Sequence, residues 1–138
     1  MIVADTNLIS YLFLPGDRTS AAEAVLVKDP DWAAPLLWKS EFRNVLSGYL
    51  RQGWLALPVA QAIMEQAEGL LAGKEFSVPS DRVLETAAKC GCSAYDCEFV
   101  VLAQDLGIPL VTADQKILQI FRGFARSPEV FGEPPRSG

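Results

Sequence analysis

The chain contains no histidine. Imidazole is therefore missing as a base and as a metal ligand, which excludes Ser-His-Asp hydrolysis and the histidine-rich zinc sites. Cysteine is scarce too. Cys90, Cys92 and Cys97 are an odd set, and the one residue between Cys90 and Cys92 is fewer than redox and zinc motifs place there. We read them as reduced thiols of a cytosolic protein. Positive charge is in deficit, with 12 basic against 17 acidic residues and a net charge of −5 at pH 7. A general basic surface is therefore not what would attract a polyanion. No apolar run approaches the ~18 residues of a membrane span. The chain opens on Met1-Ile2-Val3-Ala4 rather than on a charged leader. The expectation is a cytoplasmic protein without a membrane segment.

What is present is a chain of 138 residues, half of them apolar. At this length a single domain buries roughly two-thirds of its unfolded surface, so a core forms without disulfides or a structural metal. Short apolar runs alternate with longer helical patterns, as in a parallel sheet covered by helices. Strands are expected at Ile2 to Ala4, Asp31 to Ala34, Glu75 to Val78 and Ile108 to Thr112, with Ala125-Arg126-Ser127 as an edge strand. Helices are expected from Thr6 to Leu14, from Thr19 or Ser20 to Lys28, and from Leu36 to Arg51. Four more run from Pro58 to Leu71, Ser80 to Lys89, Ser93 to Leu106 and Gln115 to Phe121. Residues 1–131 form the domain, and Gly132 to Gly138 reads as a loose tail.

Most of the acids are unremarkable as surface charge, but four occupy unusual places. On the helix from Leu36 to Arg51, Leu37 and Val45 project about 40° either side of Glu41, which therefore interrupts an apolar stripe. On the helix after Ser93, Asp96 projects among Val100, Ala103 and Phe99, whereas Glu98 and Asp105 project from roughly the opposite, solvent-facing side. A carboxylate taken out of water without a partner costs several kcal/mol or shifts its pKa, so Glu41 and Asp96 call for a cation or hydrogen bonds. Asp5 follows the first strand and Asp114 follows the strand ending at Thr112, where the carboxyl ends of parallel strands open onto a ligand crevice. Plain alternatives stand beside these readings. Asp5 and Asp114 also suit helix N-caps, and Ser93-Ala94-Tyr95-Asp96 has the form of a capping box. Glu41 has Lys39 and Arg43 nearby, but residues two apart on a helix face different ways.

In order along the chain come Val3-Ala4-Asp5-Thr6-Asn7, Glu41 in a mid-chain helix, Tyr95-Asp96 opening the Phe99-Val100-Val101-Leu102-Ala103 helix, and Leu110-Val111-Thr112-Ala113-Asp114. This pattern resembles the PIN-domain ribonucleases, and among them the VapC-type toxins of bacterial toxin-antitoxin pairs. The resemblance spans nearly the whole chain. It implies a three-layer α/β/α sandwich with a mainly parallel central sheet and an acidic site at Asp5, Glu41, Asp96 and Asp114. Thr6, Asn7 and Thr112 fall at supporting polar positions. It also implies Mg²⁺, with Mn²⁺ as a substitute, an RNA substrate, a homodimer and a small cognate antitoxin of the VapB kind. Where some relatives carry a further acid, this chain has Lys116, Ile117 and Leu118.

Four carboxylates suit hard cations, which need only one or two acids each beside water and phosphate. Such a site would hydrolyse a phosphodiester in line, leaving a 5′-phosphate and a 3′-hydroxyl. Asp5, Asp96 and Asp114 would position the cation, and Glu41 would ligate it or orient the attacking water. Lys39, Arg43, Arg51, Lys116, Arg122 and Arg126 are candidates for a phosphate-positioning rim, although surface solvation is the plainer reading of each. Trp32, Trp38 and Trp54 read as core or dimer interface. Two rivals remain. An aspartate-nucleophile phosphotransferase or phosphatase would use Asp5, but wants an acid where Asn7 stands. A catalytically silent antitoxin- or RNA-binding domain would use the acids for capping and contacts.

Overall fold

The computed structural model describes residues 1–134. Along the chain lie β1 (Ile2–Ala4), α1 (Thr6–Phe13), α2 (Thr19–Lys28), β2 (Trp32–Pro35), α3 (Leu37–Arg51), α4 (Leu57–Leu71) and β3 (Glu75–Phe76). They are followed by α5 (Ser80–Cys90), α6 (Ala94–Leu106), β4 (Leu110–Val111), α7 (Gln115–Ile120), β5 (Ala125–Arg126) and α8 (Pro128–Phe131). β1, β2 and β4 are continuous apolar runs without alternation because both of their faces are covered.

The sheet order is β3-β2-β1-β4-β5, with every pair parallel. Right-handed crossovers then determine the layers. The chain steps from β1 to β2 to β3 in one direction, which puts α1 to α4 on one face. It returns from β3 to β4 and β5 in the other direction, which puts α5 to α7 on the opposite face. Packing agrees: α1 lies against α3 and α4, whereas α6 covers β1, β2 and β4 and packs on α5. The expected three-layer α/β/α sandwich is the observed one.

Between the layers, Trp32, Trp38, Phe42 and Phe99 are sealed from solvent. Burial of each large side chain contributes a few kcal/mol, provided its polar atoms are satisfied. The indole N–H of Trp32 donates to the Asp29 carbonyl at 2.8 Å and that of Trp38 to the Glu75 carboxylate at 2.9 Å. Trp54 differs, standing exposed with its ring edge-on to Tyr49.

The elements differ from expectation mainly at their ends. β2 runs one residue later than expected, and β3 and β4 are shorter, because only the paired residues make ladder bonds. α8 is unanticipated, since four residues show no period. Ser127, expected in the edge strand, caps α8 instead, its hydroxyl accepting the Val130 N–H at 3.2 Å. Of the expected tail, Gly132 and Glu133 close α8 by donating to the carbonyls of Pro128 and Val130, and residues 135–138 lie outside the described residues. Among the described residues no helix is long and apolar enough to cross a membrane.

Candidate active site

Strand order reverses between β1 and β4, so the crossovers leaving them part and open a crevice beyond their carboxyl ends. Ala4 pairs with Val111, and the Asp5 N–H donates to the Val111 carbonyl at 3.1 Å. The residues just past the two strands therefore face one another.

Asp5 is buried there. Its Oδ1 accepts the Thr6 N–H at 2.7 Å, and its Oδ2 accepts the Thr112 hydroxyl at 2.6 Å and the Asn7 amide at 3.4 Å. The Asn7 side-chain oxygen takes the Ala113 N–H at 3.3 Å, and Thr112 Oγ1 takes the Asp114 N–H at 3.1 Å. Asp114 caps α7 through the Ile117 N–H at 3.0 Å. On the face covered by α1 to α4, the Thr6 hydroxyl donates to Glu41 Oε1 at 2.7 Å; on the opposite face, Ser93 accepts the Asp96 N–H at 3.1 Å as the N-cap of α6. The structure thus brings Asp5, Thr6, Asn7, Glu41, Thr112 and Asp114 into one hydrogen-bonded network. The capping alternatives for Asp5, Asp114 and Ser93 hold as well. They do not compete with a site, because each carboxylate oxygen has two lone pairs and a cap uses one.

Asp96 joins this group through its field. Burial pushes the Asp5 carboxyl up from 3.8 to about 6; the Thr112 and Thr6 bonds oppose that rise, while Asp96 and Glu41 add to it. Glu41 is raised by burial, less the Thr6 bond, with Asp96 adding to the rise. Asp96 is raised by burial and by Asp114, against the Ser93 hydroxyl and the Lys116 ammonium. Like charges in a half-dry crevice disfavour one another's ionisation. Among the described residues no three acids or thiols form a closed cluster able to hold a metal ion, so the carboxylates share a field rather than a finished ligand cage. The donors are all hard oxygens, which fits Mg²⁺ or Mn²⁺ and not a thiophilic ion.

One expectation needs correcting. Glu98, assigned from the α6 projection to the solvent side, is half-buried; burial raises its carboxyl, and Glu41 raises it further. Projection of α6 alone misses this because the charge facing Glu98 belongs to α3, and placing α3 beside the start of α6 would have revealed it. Asp105 is the surface charge expected, paired with Arg82. Lys39 pairs with Glu68 at 3.6 Å and Glu75 at 3.4 Å, in keeping with its plainer reading as a surface charge. Lys116 donates to the Gly91 carbonyl at 2.9 Å, Arg51 to Ser47 at 2.6 Å, and Arg126 to the Arg122 carbonyl at 2.7 Å.

Comparison with known proteins finds chains of similar sequence and fold. Ribonuclease VapC3 of Pyrobaculum aerophilum is 27% identical over 124 residues, spanning 87% of this chain and 94% of that protein. Among solved structures, PAE2754 from Pyrobaculum aerophilum superposes with a TM-score of 0.77 at 22% identity, covering 95% of this chain and 92% of the other. A toxin-antitoxin complex from Klebsiella pneumoniae gives 0.69 at 19% identity, and FitAcB from Neisseria gonorrhoeae 0.67 at 20%, each covering 93% of this chain and 98% of the other. The PIN-domain family model matches residues 2–122, a stretch running from β1 through α7 and containing every carboxylate of the crevice. The chain belongs to the PIN-domain family.

Proposed function

We propose that this protein is a divalent-metal-dependent endoribonuclease, with Asp5, Glu41, Asp96 and Asp114 as its acidic site, and that it acts as the toxin of a toxin-antitoxin pair. The observation that carries the reading is the burial of Asp5 at the strand crossover, within the fields of Asp96 and Glu41. Arranging like charges in a dry crevice costs stability unless a cation or its equivalent enters.

When bound, Mg²⁺ or Mn²⁺ supplies Lewis-acid chemistry, acidifying water and offsetting the charge that develops on a phosphodiester. Asp5, Asp96 and Asp114 would hold the cation. Glu41, oriented by the Thr6 hydroxyl, would hold the cation or take up the proton of the attacking water. Thr112 fixes Asp5 and the backbone entering Asp114 in one step, and Asn7 ties Asp5 to Ala113. Loops and single strands of RNA, whose phosphates enter an open crevice, are the substrate class.

A small antitoxin would silence the site by placing a basic side chain where the cation goes. The similarity to ribonuclease VapC3 and to a Klebsiella pneumoniae toxin-antitoxin complex supports both the activity and this partner. A homodimer in the cytoplasm, with residues 1–131 as the nuclease unit, completes the reading. The phosphotransferase rival is less well supported, because Asn7 offers an amide engaged with Asp5 and Ala113 where a second acid is required.

The test compares wild type with Asp96→Asn on fluorescent RNA panels, using protein freed of any co-purifying antitoxin. Cutting that requires Mg²⁺ or Mn²⁺ and is lost in the variant is expected. Cutting that survives both the substitution and a chelator would discard the site, and phosphoaspartate trapping would revive the rival.

A further inference from the structure

The three thiols gather at one corner of the fold, where α5 ends and α6 begins. Cys90 closes α5, and Gly91 then reverses the chain in the left-handed region at φ 69°, a conformation a side chain would strain. Cys97 points from the first turns of α6 into a small apolar cluster with Val83 and Val101. The sulfurs of Cys90 and Cys97 lie 3.7 Å apart, and the Cys92 N–H donates to the Cys90 sulfur at 3.2 Å. Lys116, held on the Gly91 carbonyl at 2.9 Å, brings an ammonium group to the same turn. Burial pushes the Cys90 thiol up, but the Cys92 and Cys97 hydrogen bonds and the Lys116 charge outweigh it and bring the thiol below its ordinary range. Cys90 also borders an open hollow with Arg82, Lys89 and Phe121, which gives a small reagent access.

The geometry points to Cys90 and Cys97 as an oxidative modification site, at which an oxidant of the hydroperoxide class closes a disulfide between α5 and α6 beside Asp96. The Cys90 thiol gives up its proton and the thiolate takes one oxygen from the peroxide; the O–O bond breaks, a sulfenic acid forms, and the departing hydroxide takes up that proton and leaves as one water. The Cys97 sulfur then attacks that sulfur, the S–S bond forms as the S–O bond breaks, and a second water leaves. One hydrogen peroxide is reduced to two waters while two thiols give up two electrons and two protons. Cys90 is the half-exposed member and reacts first; Cys97 is buried and resolves. A transient disulfide of this kind is the form in which cytosolic proteins use the bond.

Covalent closure draws the sulfurs together by roughly 1.7 Å. Cys97 directly follows Asp96, so the pull falls on the turn that presents Asp96 to Asp5 and Glu41. Oxidation therefore lowers cleavage, a consequence that rests on the nuclease reading above.

The experiment treats wild type, Cys92→Ser, Cys90→Ser and Cys97→Ala with hydrogen peroxide and maps disulfides by non-reducing peptide mass spectrometry. A Cys90–Cys97 cross-link is expected in wild type and Cys92→Ser, and absent from the other two. RNA cleavage by wild type should fall at least tenfold on oxidation and return with dithiothreitol, while Cys90→Ser stays insensitive. Three free thiols after treatment, a Cys90–Cys92 link, or a Cys90–Cys97 link that leaves cleavage unchanged would overturn the proposal. Absence of cleavage from the fully reduced protein would instead count against the nuclease reading, with the cross-link still deciding the chemistry. Circular dichroism of Cys97→Ala checks folding, and the Cys90→Ser arm stands if that variant unfolds.

Discussion

The two sides of the carboxylate crevice hold their charge differently. On the strand side, Asp5 accepts a backbone N–H and a hydroxyl within 2.7 Å, and Asp114 caps a helix. On the helix side, Glu41 has the Thr6 hydroxyl at 2.7 Å and lies in the field of Asp96, while Asp96 stands beside Ser93 in the field of Asp114, and both are half-buried. Yet Asp5, the better bonded of the acids, is raised to about 6, because burial outweighs its hydrogen bonds. Hydrogen bonds position a buried carboxylate; they do not replace the water or cation it has lost. The strand side acts as a rigid anchor, and the helix side closes the field around it.

The largest effect should come from removing one charge on either side. Asp5→Asn and Asp96→Asn are each expected to reduce RNA cleavage on the order of 10²–10³-fold, as loss of a group acting directly on developing charge does. Single-turnover cleavage at saturating Mg²⁺ checks this, and retention of activity by one variant alone would assign the chemistry to the other side.

Next comes the pH response of stability, which isolates the anchor. The folded-state pKa of Asp5 lies above its ordinary 3.8, so the native state binds the extra proton between 3.8 and about 6. Stability contributed by this group is therefore present at low pH and lost as pH rises through that window, by up to about 3 kcal/mol. Thermal melts without divalent ions should show a larger fall in wild type than in Asp5→Asn, where the raised carboxyls of Glu41, Asp96 and Glu98 still titrate, and the difference between the two belongs to Asp5. Added Mg²⁺ should raise the melting temperature more at pH 8 than at pH 5.

Thr112→Val tests the bond rather than the charge. It takes the hydroxyl from Asp5 and the acceptor from the Asp114 N–H, and should cost about 1–3 kcal/mol in denaturant unfolding. Cleavage should fall roughly 10–100-fold, as when a partner that orients a metal ligand is lost. The smallest effect belongs to Glu98→Gln. Its influence on Glu41 is through a partly exposed charge, so a few-fold change in cleavage, corresponding to less than ~1 kcal/mol, is expected. A loss as large as that of Asp96→Asn would move Glu98 into the acidic site itself.

Much of this arrangement was legible in local pattern. Ile2 to Ala4 followed by Asp5, the apolar stripe of α3 broken by Glu41, and the cap Ser93 ahead of Asp96 are each statements about neighbours within one or two helical turns. Glu98 and α8 were not legible for opposite reasons. Glu98 meets a charge carried by a different helix, and α8 is too short to leave a period. The tryptophans divide along the same line: all three read as core or interface, and only packing separated the sealed Trp32 and Trp38 from the exposed Trp54.

By itself the sequence determined an α/β domain without imidazole chemistry and with four acids at strand ends or on apolar helix faces, because side-chain type and local period are properties of adjacent residues. Only the tertiary structure decided that β4 lies next to β1, that Thr112 therefore reaches Asp5 across 107 positions of chain, and that Cys90 meets Cys97 behind Asp96. Strand order depends on which crossovers bury the most surface with the right hand, a choice made by the whole chain at once and written in no single segment of it.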